Sequence, residues 1–326
     1  MKVLVTGAAG FIGSNLIDKL LSQKYNVIGF DNLSTGKIGN IEHLLENPLF
    51  QLEVGDIRDP DHLCKSVSHA DAVVHLAALA DIVPSVENPT DYYSTNVTGT
   101  FNVMSAIKQH GISRVIYAAS SSCYGIPAKY PTPETAQIDL RYPYALTKYL
   151  GEAIFLHWTQ IYKLSGISLR LFNVYGKRAR TSGAYGAVFG VFLAQKLAGK
   201  SLTIVGDGNQ TRDFINVKDV VRAMHLALLS DKQGVYNVGT GNPVSVNKIA
   251  ELIGGEKVFI PKRPGEPDST HADVSKIAKD LNWRAEISIE NGVDEMIKNI
   301  GDWGEAPVWD VESIDVATKN WFKYLS

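Results

Sequence analysis

The sequence predicts an α/β fold, with a doubly wound parallel sheet in an N-terminal domain, residues 1–176, and a smaller C-terminal domain, residues 177–326. One segment near 211–240 returns to the first domain. Three observations carry this reading. The chain opens as strand, glycine-spaced loop, helix and second strand. Apolar runs then alternate with segments of helical length up to about Gly176, and beyond that point the alternation gives way to turn-rich sequence.

In the opening unit, Lys2-Val3-Leu4-Val5-Thr6 is a short apolar run, Gly7, Gly10 and Gly13 punctuate the loop, and Leu16, Ile17, Leu20 and Leu21 fall at helical spacing. Residues 25–30 form the next run, ending in Asp31, 18 positions after Gly13. Glycines at such a turn let the backbone approach a pyrophosphate closely. The helix N-terminus offers unpaired N–H groups and a positive dipole, and the terminal acid accepts from ribose hydroxyls. The spacing is G-x-x-G-x-x-G rather than G-x-G-x-x-G, so the flanking strands, the helix and the acid carry the assignment. The expected cofactor is NAD, because the Asp31 carboxylate repels a 2′-phosphate and Asn32-Leu33-Ser34 brings no arginine to receive one.

Composition narrows the remaining classes. The chain has 326 residues, 45% hydrophobic and 20% charged, enough for a substantial core. A net charge of -2 gives no electrostatic reason to expect nucleic acid or an anionic membrane as partner. No apolar run reaches spanning length and the N-terminus lacks a signal-peptide pattern, so a soluble cytoplasmic protein is expected. Cys64 and Cys123 are too few for a disulfide framework, and the histidines do not cluster with cysteines or acids at metal-ligand spacing. The Asn-x-Ser/Thr triplets at Asn32 and Asn96 then read as chance.

Further apolar runs follow at 49–54, 72–76, 115–119 and 167–172, with polar or small residues directly after them: Gly55-Asp56, Ala77-Ala78, Ser120-Ser121-Ser122 and Asn173. In a doubly wound sheet this is the rim where ligands bind. Close backbone packing is the lesser alternative for the small residues Ala77 and Ala78. Residues 177–190, 205–209 and the proline-rich 260–267 read as loops suited to a cap over a substrate. Within that region Val217–Leu229 reads as a helix and 235–238 as a strand rejoining the sheet.

Tyr144-Ala145-Leu146-Thr147-Lys148 places a phenol and an ammonium four residues apart, on one face of a helix. By itself the pair also fits an exposed tyrosine and lysine. Here it lies 24 positions after Ser120 at a strand end, downstream of a dinucleotide loop. A phenol serves as a base near neutrality only if its anion is stabilised, which a lysine and a positive nicotinamide would do, while a serine hydroxyl shares the same substrate oxygen. The set suits oxidation of a secondary alcohol by NAD.

Gly7/Gly10/Gly13, Asp31, Gly55-Asp56, His75-Leu76-Ala77-Ala78, Asn96, Ser120 with Tyr124-Gly125, Tyr144/Lys148, Arg170-Leu171-Phe172-Asn173, Thr211-Arg212-Asp213-Phe214 and Arg263-Pro264-Gly265-Glu266 run through nearly the whole chain. Together they resemble the extended short-chain dehydrogenase/reductases that act on nucleotide sugars, and most of all the NAD-dependent UDP-hexose 4-epimerases. The resemblance implies a Rossmann-like cofactor domain with NAD contacts from Gly7, Gly10, Phe11, Ile12, Gly13, Asp31, Asn32, Asp56, Ile57, Ala77, Ala78, Asn96, Tyr144 and Lys148. It implies Ser120, Tyr144 and Lys148 as the catalytic set, and substrate contacts from Ser121, Ser122, Asn173, Ala187, Val188, Arg212, Arg263 and Thr270. It further implies a homodimer formed by the helices starting near Tyr92 and Tyr144, and a place in polysaccharide biosynthesis. Without it, Arg212 beside Asp213 reads more simply as a surface ion pair.

The implied reaction has no net redox. Tyr144 takes the O4 proton as C4 passes hydride to NAD, the 4-keto sugar swings about its diphosphate, and hydride and proton return on the other face. Related 4,6-dehydratases place Asp-Glu directly after the catalytic hydroxyl residue, and related decarboxylases carry a glutamate in this stretch. Here Ser121 and Ser122 stand there, which disfavours both reactions. A silent, cofactor-sensing protein on this fold predicts a damaged catalytic set, and this one is intact. Thr270, seven positions after Arg263, aligns with a gatekeeper that is a bulky tyrosine in enzymes restricted to non-acetylated sugars. Threonine there, with the segments 119–125 and 183–188, favours UDP-N-acetylglucosamine over UDP-glucose and leaves uronic acid forms open. The uracil rests on the resemblance alone. Cys123 reads as a small buried hydrophobe rather than a nucleophile. The aromatic tail 302–326 extends beyond the usual end of the match, as a helix packed on the C-terminal domain or as an oligomer contact or pocket cover.

Overall fold

The computed structural model describes residues 1–179 and 187–325. Seven parallel strands form the central sheet in the order Gly234–Val238, Ser165–Leu171, Arg114–Ser120, Ala72–His75, Lys2–Thr6, Asn26–Asp31, Phe50–Val54. Each expected apolar run is present, and the strand near 235 does rejoin the sheet, beside Ser165–Leu171. The order reverses between Lys2–Thr6 and Ala72–His75, where Thr6 lies beside His75. A crevice opens at such a switch point, since the chain leaves the two strands toward opposite sides.

The period of two along each strand divides the core. Val3, Val5, Val27, Val74 and Ile116 face a cluster shared with Leu16, Ile17 and Leu20 of the helix Phe11–Ser22 and with Val220 and Met224 of the helix Val217–Leu229. Leu4, Ile28, Val73, Val115 and Tyr117 face the opposite cluster, with Leu63, Val103 and Phe155 from the helices Pro60–Val67, Gly99–His110 and Pro143–Ile161. Strands covered on both faces read as near-continuous apolar runs, which is why the sequence shows them.

A second apolar core gathers Phe189, Phe192, Ile204, Ile249, Met296, Trp303 and Ile314. The expectation of a loop-rich C-terminal region is corrected here. Helices Val188–Leu197, Val246–Ile253, Ile289–Lys298 and Val311–Tyr324 build it, with the parallel pair Leu202–Val205 and Lys257–Ile260. The helix Ser275–Leu281 and Trp283 return to the first core, as Val217–Leu229 does. Among the described residues no helix is long and apolar enough to cross a membrane. The chain from Pro89 to His110 runs as helix with one π turn at Ser94–Thr98, and with Pro143–Ile161 it leaves Tyr93, Phe101, Leu146 and Ile161 exposed.

Candidate active site and cofactor cleft

A cleft of about 1050 Å³ lies at the carboxyl ends of the central strands. Gly7, Gly10, Phe11, Ile12, Gly13, Asp31, Asn32, Asp56, Ile57, Ala77, Ala78, Tyr144 and Ala187 all line it. Gly7 has φ +72°, and a Cβ there would lie 2.8 Å from the Ala77 nitrogen. A Cβ on Gly13 would lie 2.0 Å from the Gly7 carbonyl oxygen. Both glycines are therefore required by the close crossing of loop, helix and the turn after Ala72–His75. This leaves a side-chain-free wall at the N-terminus of the helix Phe11–Ser22, with the shape and polarity that a pyrophosphate needs. The residues present fit NAD.

Asp31 caps the second strand, accepting from the Ala9 N–H at 2.9 Å and the Leu33 N–H at 2.8 Å. Burial raises its pKa, and those two amides oppose the rise. Asn32 donates to Asp56 at 2.8 Å, and Arg58 grips the same carboxylate at 2.6 Å, holding Asp56 down at about 2. A fixed anion and amide thus flank the far end of the cleft.

The turn at Leu76–Ala78 is braced from beneath. The Thr6 hydroxyl accepts from the Leu76 and Ala77 N–H groups and lies 2.7 Å from His75 Nδ1. Thr100 donates to the Asn96 carbonyl at 2.6 Å, so it accepts from His75 Nε2–H at 3.0 Å, and Thr6 gives its proton to Nδ1. The imidazole is neutral: burial, then the Lys148 charge, push its pKa down to about 3. The Asn96 side chain accepts from the Leu79 N–H and donates to the Leu79 carbonyl and Thr147, tying this turn to the Tyr144 helix. Asn96 is buried behind the cleft wall rather than on it.

Tyr144 stands near the start of the helix Pro143–Ile161 and lines the cleft. Burial raises its pKa, the Asp81 charge adds to that, and a hydrogen bond from Ser120 pulls the other way. The Ser120 oxygen already accepts from the Ser122 N–H at 3.2 Å, which leaves its proton for the phenol. Beside it the Ser122 hydroxyl is buried with no partner among the described residues. A buried hydroxyl without a partner beside Ser120 is a place for a ligand oxygen. Lys148 is buried against the Tyr117 ring, 4.5 Å from its centroid, and burial pushes its pKa down to about 8 against the opposing charge of Glu152. Cys123 is buried and its thiol pushed up to about 12, which makes it inert at neutral pH.

Arg170, in the family-like Arg170-Leu171-Phe172-Asn173 run, does not reach the cleft. It forms a buried bidentate pair with Glu152, at 2.7 Å for the closest contact, and donates to the Tyr124 hydroxyl at 2.9 Å. Asn173 accepts from the Thr270 hydroxyl at 2.9 Å, and Thr270 accepts from the Asp213 N–H. Arg212 and Arg263 converge on one carboxylate, Glu266, at 3.4 Å and 3.0 Å. Burial lowers the Arg212 pKa while Glu266 opposes it. Two guanidiniums this enclosed are costly without a counter-charge, and Glu266 supplies one where a diphosphate would supply more.

The surface ion-pair reading of Arg212 and Asp213 is corrected by geometry. Neighbouring residues of an extended chain face opposite ways, and Asp213 is wholly buried, accepting from Thr240, Gly241 and Ala272 amides. Ser120, Ser121, Ser122, Lys148, Asn173, Val188, Arg212, Arg263 and Thr270 lie off the wall of the large cleft. Of the stretch 183–188, residues 183–186 lie outside the described residues. The sequence missed Asp81, which lines the cleft at φ +76°, whereas Trp303 and Trp309 of the aromatic tail reach the cleft from the C-terminal region, in line with the pocket-cover alternative. A positive φ outside glycine leaves no mark in sequence, but the tryptophans of the tail were a usable signal.

With this geometry in view, the comparisons are specific. Residues 3–239 match the NAD dependent epimerase/dehydratase family. The UDP-glucose 4-epimerase of Mycolicibacterium smegmatis is 34% identical over 91% of this chain and 98% of its own. Among solved structures, the UDP-glucuronic acid 4-epimerase of Bacillus cereus, in complex with UDP-glucuronic acid and NAD, superposes with a TM-score of 0.85 at 33% identity, over 92% of this chain and 99% of that one. The UDP-N-acetylglucosamine 4-epimerase of Methanobrevibacter ruminantium, in complex with UDP-N-acetylmuramic acid, does so with 0.86 at 33%, over 93% and 98%. With a glycine-lined cleft at the carboxyl edge of its sheet and a match over most of its length, this chain belongs to the NAD dependent epimerase/dehydratase family.

Proposed function

We propose that this protein is an NAD-dependent 4-epimerase of UDP-sugars, with UDP-N-acetylglucosamine and UDP-N-acetylgalactosamine favoured over UDP-glucose and UDP-galactose. The observation that carries the reading is Tyr144 on the cleft wall, one helix turn before the buried Lys148 on Pro143–Ile161, with Ser120 ending the strand Arg114–Ser120 and Ser121 and Ser122 standing after it in place of acids. NAD, when bound against Gly7, Gly10 and Gly13 with Asp31 at its ribose, accepts the C4 hydride and gives it back. Tyr144 holds and moves the O4 proton. Lys148 stabilises the phenolate by its charge, and Ser120 holds O4 by hydrogen bond. Ser122 offers its orphan hydroxyl to the hexose.

Epimerisation requires the hexose to turn over while the nucleotide stays put. Asn173, Arg212 and Arg263 grip the diphosphate, since paired guanidiniums bind phosphate oxygens in a fixed geometry. Ala187 and Val188 contact the nucleotide. Thr270 is small and its hydroxyl is held by Asn173 and Asp213, so it leaves space for an acetamido group. The second apolar core belongs to the substrate domain, and the exposed apolar faces near Tyr93 and Leu146 meet their copies in a homodimer. An NMR time course with NAD and, separately, UDP-N-acetylglucosamine and UDP-glucose tests this: galacto signals appear from both, faster from the acetylated sugar. A 4-keto-6-deoxy or pentose product would overturn the reading.

A further inference from the structure

We propose that Trp321, on the C-terminal helix Val311–Tyr324, is a positioning residue that holds Arg263 ready for the nucleotide diphosphate. The proposal rests on the reading of Arg263 as a diphosphate ligand. Trp321 is buried, and its indole N–H donates to the Pro264 carbonyl at 2.8 Å. The Arg263 guanidinium lies 5.4 Å from the centre of the indole ring, while Glu266 binds it at 3.0 Å. A planar cation between an aromatic ring and a carboxylate keeps its orientation, so it loses little freedom when a phosphate arrives.

The loop 261–268 that bears Arg263 has no strand or helix of its own. Its stiffness has to come from outside. At Gly265, φ +73°, a Cβ would lie 3.3 Å from the Leu325 carbonyl oxygen, so the end of the tail closes on the same turn. The tail is in turn anchored near both ends of its last helix. Gln195 donates to the Trp309 carbonyl at 2.8 Å, about two helix turns beyond Ala187 and Val188, and Asp310 with Ser313 forms a capping box at the start of the last helix. At its other end Asn320 donates to Glu87 at 3.2 Å, on the helix Ile82–Glu87 that follows the Ala77–Asp81 wall. The last helix therefore runs from the helix Val188–Leu197 to the cofactor domain, and near its C-terminal end Trp321, next to Asn320, is its point of contact with Arg263.

The test is calorimetric titration of UDP alone, and separately of NAD, into the full chain and into Trp321→Leu, Trp321→Phe, Arg263→Ala and the Trp321→Leu/Arg263→Ala pair. Leucine keeps apolar volume but removes the ring and the N–H, and phenylalanine restores the ring. The expected result is about tenfold weaker UDP binding for Trp321→Leu, the combined size of a partly buried cation–π contact and a hydrogen bond, and a loss within about threefold for Trp321→Phe. NAD affinity stays the same, and KM for the UDP-sugar rises more than kcat falls. In the Arg263→Ala background, Trp321→Leu produces no further loss, because its effect runs through that guanidinium. Full UDP affinity in Trp321→Leu beside a loss in Arg263→Ala would overturn the role of Trp321 and leave the anchor reading intact. So would losses that simply add in the double variant. Unchanged UDP affinity in Arg263→Ala would overturn the anchor reading itself.

Discussion

Lys148 sits in the fold at a cost, and replacing it should show that cost directly. Burial lowers its pKa from 10.5 to about 8. At 1.36 kcal/mol per pKa unit, this difference corresponds to about 3 kcal/mol of destabilisation wherever both folded and unfolded states are protonated. The contact with the Tyr117 ring at 4.5 Å returns about 1 kcal/mol. Lys148→Met keeps the stem and removes the charge, so the cofactor-free variant should be more stable than wild type by about 2 kcal/mol near pH 7. The dependence on pH has a definite sign. The unfolded lysine binds its proton up to about pH 10.5 and the folded one only to about pH 8, so wild-type stability rises across that window and the advantage of the variant shrinks. Urea unfolding of both proteins at pH 6.5, 7.5, 8.5 and 9.5 measures this, and turnover of the variant should be lost. A variant less stable than wild type at pH 7, or an advantage independent of pH, would refute the argument from desolvation.

Three further outcomes follow from the geometry. Tyr144→Phe should cut kcat by about 10²–10⁴-fold, the range for loss of a positioned acid-base group, with UDP affinity unchanged by calorimetry. Gly13→Ala puts a Cβ 2.0 Å from the Gly7 carbonyl, where only backbone can give way; NAD affinity should fall about 10–100-fold, read by titration with NAD. Glu152→Gln leaves the buried Arg170 without its counter-charge and should destabilise the protein by about 3–5 kcal/mol in urea. The same change removes the charge that opposes the burial of Lys148, so the alkaline limit of activity should move to lower pH.

The sheet was legible because its strands are buried on both faces, so runs such as 72–76 and 115–119 carry little else than apolar residues. The glycine loop was legible because backbone crowding at Gly7 and Gly13 leaves no other residue type. What was not legible depends on partners far away in the chain. Asp213 beside Arg212 looks like a salt bridge until the amides of Gly241 and Ala272, 28 and 59 residues on, are seen around it. The pairs Thr211-Arg212 with Val244-Ser245 and Asn173–Tyr175 with Phe214–Asn216 are two and three residues long, too short for any periodicity. The helices Val246–Ile253 and Ile289–Lys298 bury one face against the second core, and their flanking turns hid them in a region rich in glycine and proline. The Arg170–Glu152 pair and the Trp321–Arg263 contact are likewise products of assembly.

The central claim is that a UDP-sugar is oxidised at C4 and reduced again at the same carbon without exchange with water. Incubation of the protein and NAD with UDP-sugar carrying deuterium at C4 of the hexose, followed by NMR, tests it most directly. The account predicts deuterium at C4 of both epimers. Inversion with protium at C4, drawn from the solvent, or no inversion of any UDP-sugar offered, would contradict it.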